Sequence, residues 1–254
     1  MILPVDRRPL AEQSNVGRLY SDRLDSETDV ALSIYCKENG VSNFMASLTG
    51  LYTLLYHYNG QTDLTLGSTS VGRQSNALEK QIGLHLNLLP LRMRLAEDDT
   101  LAELSAKVRS LVLMAIKHQS FPFQQIVKDL NVQLKDGESP LFNVLVEYRN
   151  MDIHLGDADH SRMADVTIEK LEIEQDFAKY PLTFLFDQTE RGLSMAIEYS
   201  CDLFDHETIQ RMMEKLKLVL HILPTQSATR LRSIDQLFQP GTRLPLAGGI
   251  PFKF

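Results

Sequence analysis

Apolar residues recur along this chain with two different periods, and the switches between them predict an ordered series of helices and strands. Residues 17–24 read as a strand, and Ser26 with Glu27, Thr28 and Asp29 reads as a capping box opening a helix that stops at Gly40. Ser42 then caps a second helix, in which Phe44, Leu48, Leu51 and Leu55 return at spacings of four, three and four before Asn59-Gly60. That face is expected to pack onto a sheet. Residues 63–71 alternate as a strand and turn at Gly72-Arg73. From Ile82 to Arg92 alternation sends Leu84, Leu86 and Leu88 to one side and His85, Asn87, Leu89 and Leu91 to the other. A buried strand carrying two polar groups on one face is the prediction.

Thr100 and Glu103 form a further capping box, followed by a stripe of Leu101, Leu104, Val108, Leu111, Val112 and Ala115 that closes at Lys117 and His118. Pro122 is placed to start a short helix running to Leu130. A strand is predicted from Phe142 to Tyr148, a loop over 150–163, and strands over 166–174, 182–187 and 193–199, the last two joined around Glu190-Arg191-Gly192. Asp205 caps a final helix with Ile209, Met212, Leu216, Val219 and Leu220 on its apolar face, ending before Pro224. Residues 1–15 read as an extended lead-in and 239–254, rich in proline and glycine, as a tail or linker.

Composition narrows the function classes. At 254 residues and 43% hydrophobic content, the chain can bury a substantial core. A net charge of −7 argues against a phosphate-binding surface, so nucleic acid is not an expected partner. No window approaches the roughly 18 uninterrupted apolar residues of a spanning helix, and the N-terminus has no secretory pattern, so no membrane association and a cytoplasmic location are expected. Cys36 and Cys201, without CxxC spacing and in apolar surroundings, read as buried structural cysteines.

Phosphate-cradling glycine loops, HExxH and GxSxG are all missing. His85 with Asn87 admits two readings, a base with its orienting partner or a strand histidine satisfied by packing, and no nucleophile stands near it in sequence. Asp152, His154, Asp157, Asp159 and His160 have metal-ligating atoms but lie in a polar loop without fixed geometry, so no metal site is assigned.

Three motifs in order carry a family resemblance. Ile82-Gly83-Leu84-His85-Leu86-Asn87-Leu88 followed by Arg92 is similar to Ile-Gly-x-Phe-x-Asn-Thr with its Arg, His85 standing for Phe and Leu88 for Thr. His118 to Gln124 is similar to His-Gln-Asp-x-Pro-Phe-Glu, with Ser120 for Asp and Gln124 for Glu, and Ser139-Pro140-Leu141-Phe142 matches Ser-Pro-Leu followed by Phe. Leu3 to Arg7, Gly72-Arg73, and Glu198-Tyr199 through Leu203-Phe204 also match, whereas Lys179-Tyr180-Pro181-Leu182 lacks a usual carboxylate. The chain resembles the condensation domains of nonribosomal peptide synthetases over residues 3–238, about half of such a domain. The resemblance implies an α/β fold of the α+β two-layer type: residues 16–238 as the C-terminal lobe of a chloramphenicol acetyltransferase-like domain, a mixed sheet with helices packed on one side.

In the family two lobes flank a tunnel, and carrier proteins deliver donor and acceptor on phosphopantetheine arms. The reactive His-His-x-x-x-Asp-Gly belongs to the first lobe, and no His-His pair occurs here. The resemblance therefore implies no catalytic residue and no cofactor bound by the chain itself. Its implied partners are a peptidyl or aryl carrier protein and a missing N-terminal lobe. Gly83, Asn87, Arg92, Ser139, Pro140 and Leu141 are implied as lining or lining-support residues of the tunnel wall, with purely structural duty the alternative for each. Two other readings compete: a stand-alone acyltransferase using His85, and a non-catalytic module that docks carrier proteins.

Overall fold

The computed structural model describes residues 3–7, 14–73, 78, 81–132, 139–149, 160–163, 166–169, 176–189 and 192–238, with 160–163 and 166–169 described by backbone alone. Strand β1 (Gly17–Arg23) leads into α1 (Ser26–Asn39) and α2 (Asn43–Asn59). The cap of α1 is Asp25, not Ser26: its carboxylate accepts from the Thr28 amide at 2.9 Å, so the capping position falls one residue earlier than the sequence pattern suggested. Gly40 and Gly60 end the two helices in the left-handed conformation. Helix α2 is buried all round from Met45 to Leu55 and packs against other helices, a position one apolar stripe did not foretell. Its Thr49 and Thr53 hydroxyls donate to the carbonyls four residues back, which removes the cost of burying them.

Strands β2 (Asp63–Ser70) and β3 (Asn87–Arg94) pair antiparallel, followed by α3 (Leu101–Lys117), α4 (Phe123–Asp129) and β4 (Val144–Arg149). Strand β3 opens at Asn87 rather than Ile82. Its partner β2 runs out at Ser70, which faces Asn87, and Gly72 at a φ of 66° turns the chain away. Residues 82–86 therefore have no strand to pair with, and Ile82, Leu84 and Leu86 are exposed rather than buried. The predicted loop over 150–163 contains strand β5 (His160–Met163), which pairs only with β6 (Val166–Glu169) and leaves the main sheet, contrary to the strand expected there. Residues 170–175 lie outside the described residues.

The remaining elements are β7 (Leu182–Thr189), β8 (Gly192–Ser200), α5 (His206–Thr225), a 3-10 turn (Leu231–Ser233) and α6 (Ile234–Leu237). Asp205 occupies the cap position of α5, but its carboxylate binds Arg7 instead of the helix amides. The helix also includes Pro224 in its last turn, one residue past the expected stop, where only one intrahelical bond is forfeited. Pro122 sits at the N-cap position of α4, one residue before the first turn expected for it, and makes no side-chain cap bond. Cys36 is buried, which pushes its thiol up to about 11, while Cys201 is half-buried. Within the lead-in, the amides of Asp6 and Arg7 donate to the Leu203 carbonyl.

The main sheet runs β1-β8-β7-β4-β2-β3, with β2, β4 and β7 parallel and the other pairings antiparallel. Alternation gives it two unlike faces. Leu64, Leu66, Leu91, Met93, Val144, Val146, Phe184, Phe186, Met195 and Ile197 meet α1, α2, α3 and α5 in one core. The four long helices thus share one side as expected. Short α4 does not: Phe123 and Val127 pack on the other face with Phe142, Leu145, Tyr180, Leu88 and Leu141.

Candidate functional site

Asn87 stands at the first residue of β3, beside the turn that follows α3. Its amide nitrogen donates to the carbonyls of Gln119 (2.9 Å) and Phe121 (2.8 Å), and its side-chain oxygen accepts from the Phe123 amide at 3.1 Å. Ser70 adds a hydroxyl bond of 2.5 Å to Gln119 Oε1. An asparagine is the one small side chain that offers both donors and an acceptor to a turn in this way. The turn and α4 are consequently fixed to the edge strand by Asn87, which supports the outer face from behind.

Two of the sequence-derived candidates do come together. Arg92 and Leu141 line a 430 Å³ cavity on the outer face of β2 and β3, with Asp63, Thr65, Pro90, Ile126 and Leu130. Arg92 is held by Asp63 in a bidentate pair, Nε to Oδ1 at 2.7 Å and Nη2 to Oδ2 at 2.6 Å. The guanidinium hydrogen bonds hold the Asp63 carboxyl well below its usual range, at about 2. The pair is partly open to solvent and borders the apolar wall made by Pro90, Ile126, Leu130 and Leu141. Asp63 was not singled out in the sequence, because its role follows from the register, in which it faces Arg94 and lies diagonal to Arg92.

Leu141 reaches the cavity by an uncommon backbone. Its φ is 71° and the Phe142 amide bonds to the Pro140 carbonyl at 2.9 Å, closing a three-residue turn about Leu141. A left-handed φ costs an L-residue about 1–2 kcal/mol. The ring of Phe142 holds the turn in place by lying over Gly67, where an added Cβ would meet Phe142 Cε2 at 2.1 Å. Ser139 and Pro140 are half-buried just before it. Gly83 lies apart from this cavity, in the irregular segment before β3, where its carbonyl accepts from Arg73 Nη2 at 3.3 Å.

His85 is in the same irregular segment. Among the described residues its ring has no hydrogen-bond partner, and its carbonyl lies so close to Gly72 that an added Cβ would come within 1.9 Å. Asp152, His154, Asp157 and Asp159 lie outside the described residues, as does the side chain of His160. No group of three or more metal-ligating side chains occurs among the described residues. Nor is any described helix long and apolar enough to cross a membrane.

Four long helices on one face of a mixed six-stranded sheet, with a cavity on the other, make this a two-layer α/β fold of the chloramphenicol acetyltransferase-like type. The family model for the condensation domain matches residues 1–242, and the chain belongs to that family. A linear gramicidin synthase polypeptide of Brevibacillus parabrevis is 32% identical over 240 residues, which are 93% of this chain and 5% of that protein. The X-domain from teicoplanin biosynthesis superposes with a TM-score of 0.80 at 26% identity, covering 91% of this chain and 52% of its own. A four-domain nonribosomal peptide synthetase bound to AMP and glycine has the same fold, with a TM-score of 0.86 at 19% identity over 94% of this chain and 19% of its own. The chain therefore spans about half the length of an X-domain and a small part of the synthetases it matches.

Proposed function

We propose that this chain is the C-terminal lobe of a condensation domain, working in the cytoplasm as one wall of the chamber where carrier-borne acyl or aminoacyl thioesters are joined as amides. The observation that carries this reading is the span: the chain covers 52% of the X-domain, bears the three condensation motifs in order, and has no adjacent histidines among its seven. Amide formation needs the acceptor amine held against the thioester carbon and a group that manages its proton. The cavity of Arg92 and Leu141 suits the first task. A first lobe supplies the second.

The exposed apolar segment beside β3 fits that missing partner. Val71, Ile82, Leu84, Leu86 and Phe121 are 61%, 106%, 86%, 59% and 47% exposed. Asn87 and the close Gly72–His85 approach tie them to one region. An apolar patch of this kind, adjoining a catalytic wall, is what a two-lobed enzyme buries between its halves. Carrier proteins would then dock across both lobes with their phosphopantetheine arms reaching inward, and the chain would hold no cofactor of its own.

The test combines the purified chain with a separately produced first lobe bearing His-His-x-x-x-Asp-Gly and with aminoacyl- and peptidyl-loaded carrier proteins. Amide product is expected only from the mixture. Product from the chain alone that vanishes in His85→Ala would instead establish the stand-alone acyltransferase.

A further inference from the structure

Away from the cavity, α2, α5 and α6 bring together a carboxylate, an imidazole and an amine. Lys215 Nζ is 2.9 Å from His57 Nε2, and the other ring nitrogen of His57, Nδ1, is taken by Asp235 Oδ1. With its Nδ1 proton donated to Asp235, His57 turns the lone pair of Nε2 toward Lys215. The order of groups is that of an activated nucleophile, with an oriented base next to the attacking atom. Nothing in the proposed chemistry of the outer face uses these three residues.

The surroundings of the amine are largely apolar. Tyr58 and Phe238 place their ring centroids 4.7 Å and 5.3 Å from Nζ. The Tyr58 hydroxyl is buried without a partner and pushed up to about 12, chiefly by burial, so it stays neutral and offers the ammonium no counter-charge. Desolvation and then Arg211, one turn back on α5, hold the Lys215 amine below the usual lysine range, with Asp235 opposing them; Glu214 and Asp6 act on Tyr58. Lys217 makes the contrast on the same helix, since its ammonium is paired with Asp22 at 2.8 Å. Lys215 is half-buried and Asp235 is 68% exposed, so the relay opens to solvent at one end.

We propose that Lys215 is an acyl-acceptor site, modified by acyl thioesters with His57 as the base. The amine lone pair attacks the thioester carbonyl carbon, a C–N bond forms and the C–S bond breaks. The nitrogen's proton passes to His57 Nε2 and from there to the departing thiolate, leaving an amide on Lys215 and a free thiol. Acylation removes the positive charge held between Tyr58 and Phe238 and the bond to His57, and so loosens α6 from α2 and α5.

Incubating the full chain with acetyl-CoA at about pH 8 and mapping acetylated peptides by mass spectrometry over time tests this. Lys215 is expected to react about tenfold faster than Lys217, and its rate should climb at a pH below the usual lysine range. His57→Gln and Asp235→Asn, each checked for a native circular dichroism spectrum, should each bring Lys215 to within about twofold of Lys217. Equal labelling of the two lysines in the native chain overturns the proposal. So does a Lys215 rate that both variants leave intact.

Discussion

The two faces of the sheet are built from the same strands and differ in almost everything else. On the helix face, Phe184, Phe186, Met195 and Ile197 are 1% exposed or less, and Tyr52 reaches across to donate its buried hydroxyl to the Leu91 carbonyl at 2.8 Å. On the outer face, between the same backbones, are an exposed ion pair, a left-handed leucine, a half-buried glutamate and a glycine kept bare for an aromatic ring. The first face is packed mostly with large apolar side chains, apart from a 260 Å³ cavity among Phe44, Ser68, Leu89, Val112 and Tyr148; the second carries the fixed charge. Stability is concentrated on one side of a single sheet and the candidate chemistry on the other, so substitutions one residue apart along a strand should report different things.

Phe184→Ala should have the largest effect. Its ring lies in the helix-face core, and emptying such a site costs about 3–5 kcal/mol, read as a lower urea midpoint by circular dichroism. Its neighbours Thr183 and Leu185 point to the other face. A change no larger than that of Leu185→Ala would erase the asymmetry.

Gly67→Ala comes next and strikes the outer face. The new methyl would displace the Phe142 ring, and overpacking of this kind costs about 1–3 kcal/mol. The displaced ring should also release the Leu141 turn, seen as faster amide exchange at Phe142, whose amide closes that turn. Unchanged exchange there would separate Phe142 from the cavity wall.

Asn87→Ala should cost about 1–2 kcal/mol, because three hydrogen bonds to partly exposed backbone groups are lost. The more telling readout is local: the Phe123 amide should exchange faster while amides of α2 keep their protection. Equal loosening of both regions would show Asn87 to be a core residue.

Much of this asymmetry was legible in the sequence, and its limits have physical causes. Ser42, Thr100 and Gly40 announced helix ends because capping is a local interaction, decided within four residues. The strand predicted from Ile82 began five residues too early, because alternation reports which side a residue would face but not whether a partner strand is present. Insertion of β4 between β2 and β7 by parallel pairing is non-local and left no mark on the pattern of either strand. The same holds for the Asp63–Arg92 pair. Asn87 and Arg92 could be picked out by motif, yet their unlike geometries, one clasping a turn and the other walling a cavity, depended on which face each residue took.

Glu198 offers the smallest and most discriminating shift. It lies on the outer face of β8 opposite Thr183, whose hydroxyl donates to it at 3.4 Å, and burial raises its carboxyl above the ordinary 4.5 with the Glu147 charge adding to the rise. A carboxyl with a raised folded-state pKa is penalised where it is ionised, so the penalty is complete above the folded value and disappears as pH falls through it and below 4.5. Glu198→Gln keeps an acceptor for Thr183 and removes the charge. The variant should therefore be the more stable protein at pH 7.5, and its advantage in urea midpoint should close as the pH approaches 4. A helix-face polar substitution such as Thr53→Ser should show no such pH dependence, since Thr53 carries no titrating charge and bonds only to its own helix. A Glu198→Gln chain less stable than the parent at pH 7.5 would mean that the ionised carboxylate is held by a partner, and the outer face would then have no charge to spare at this position.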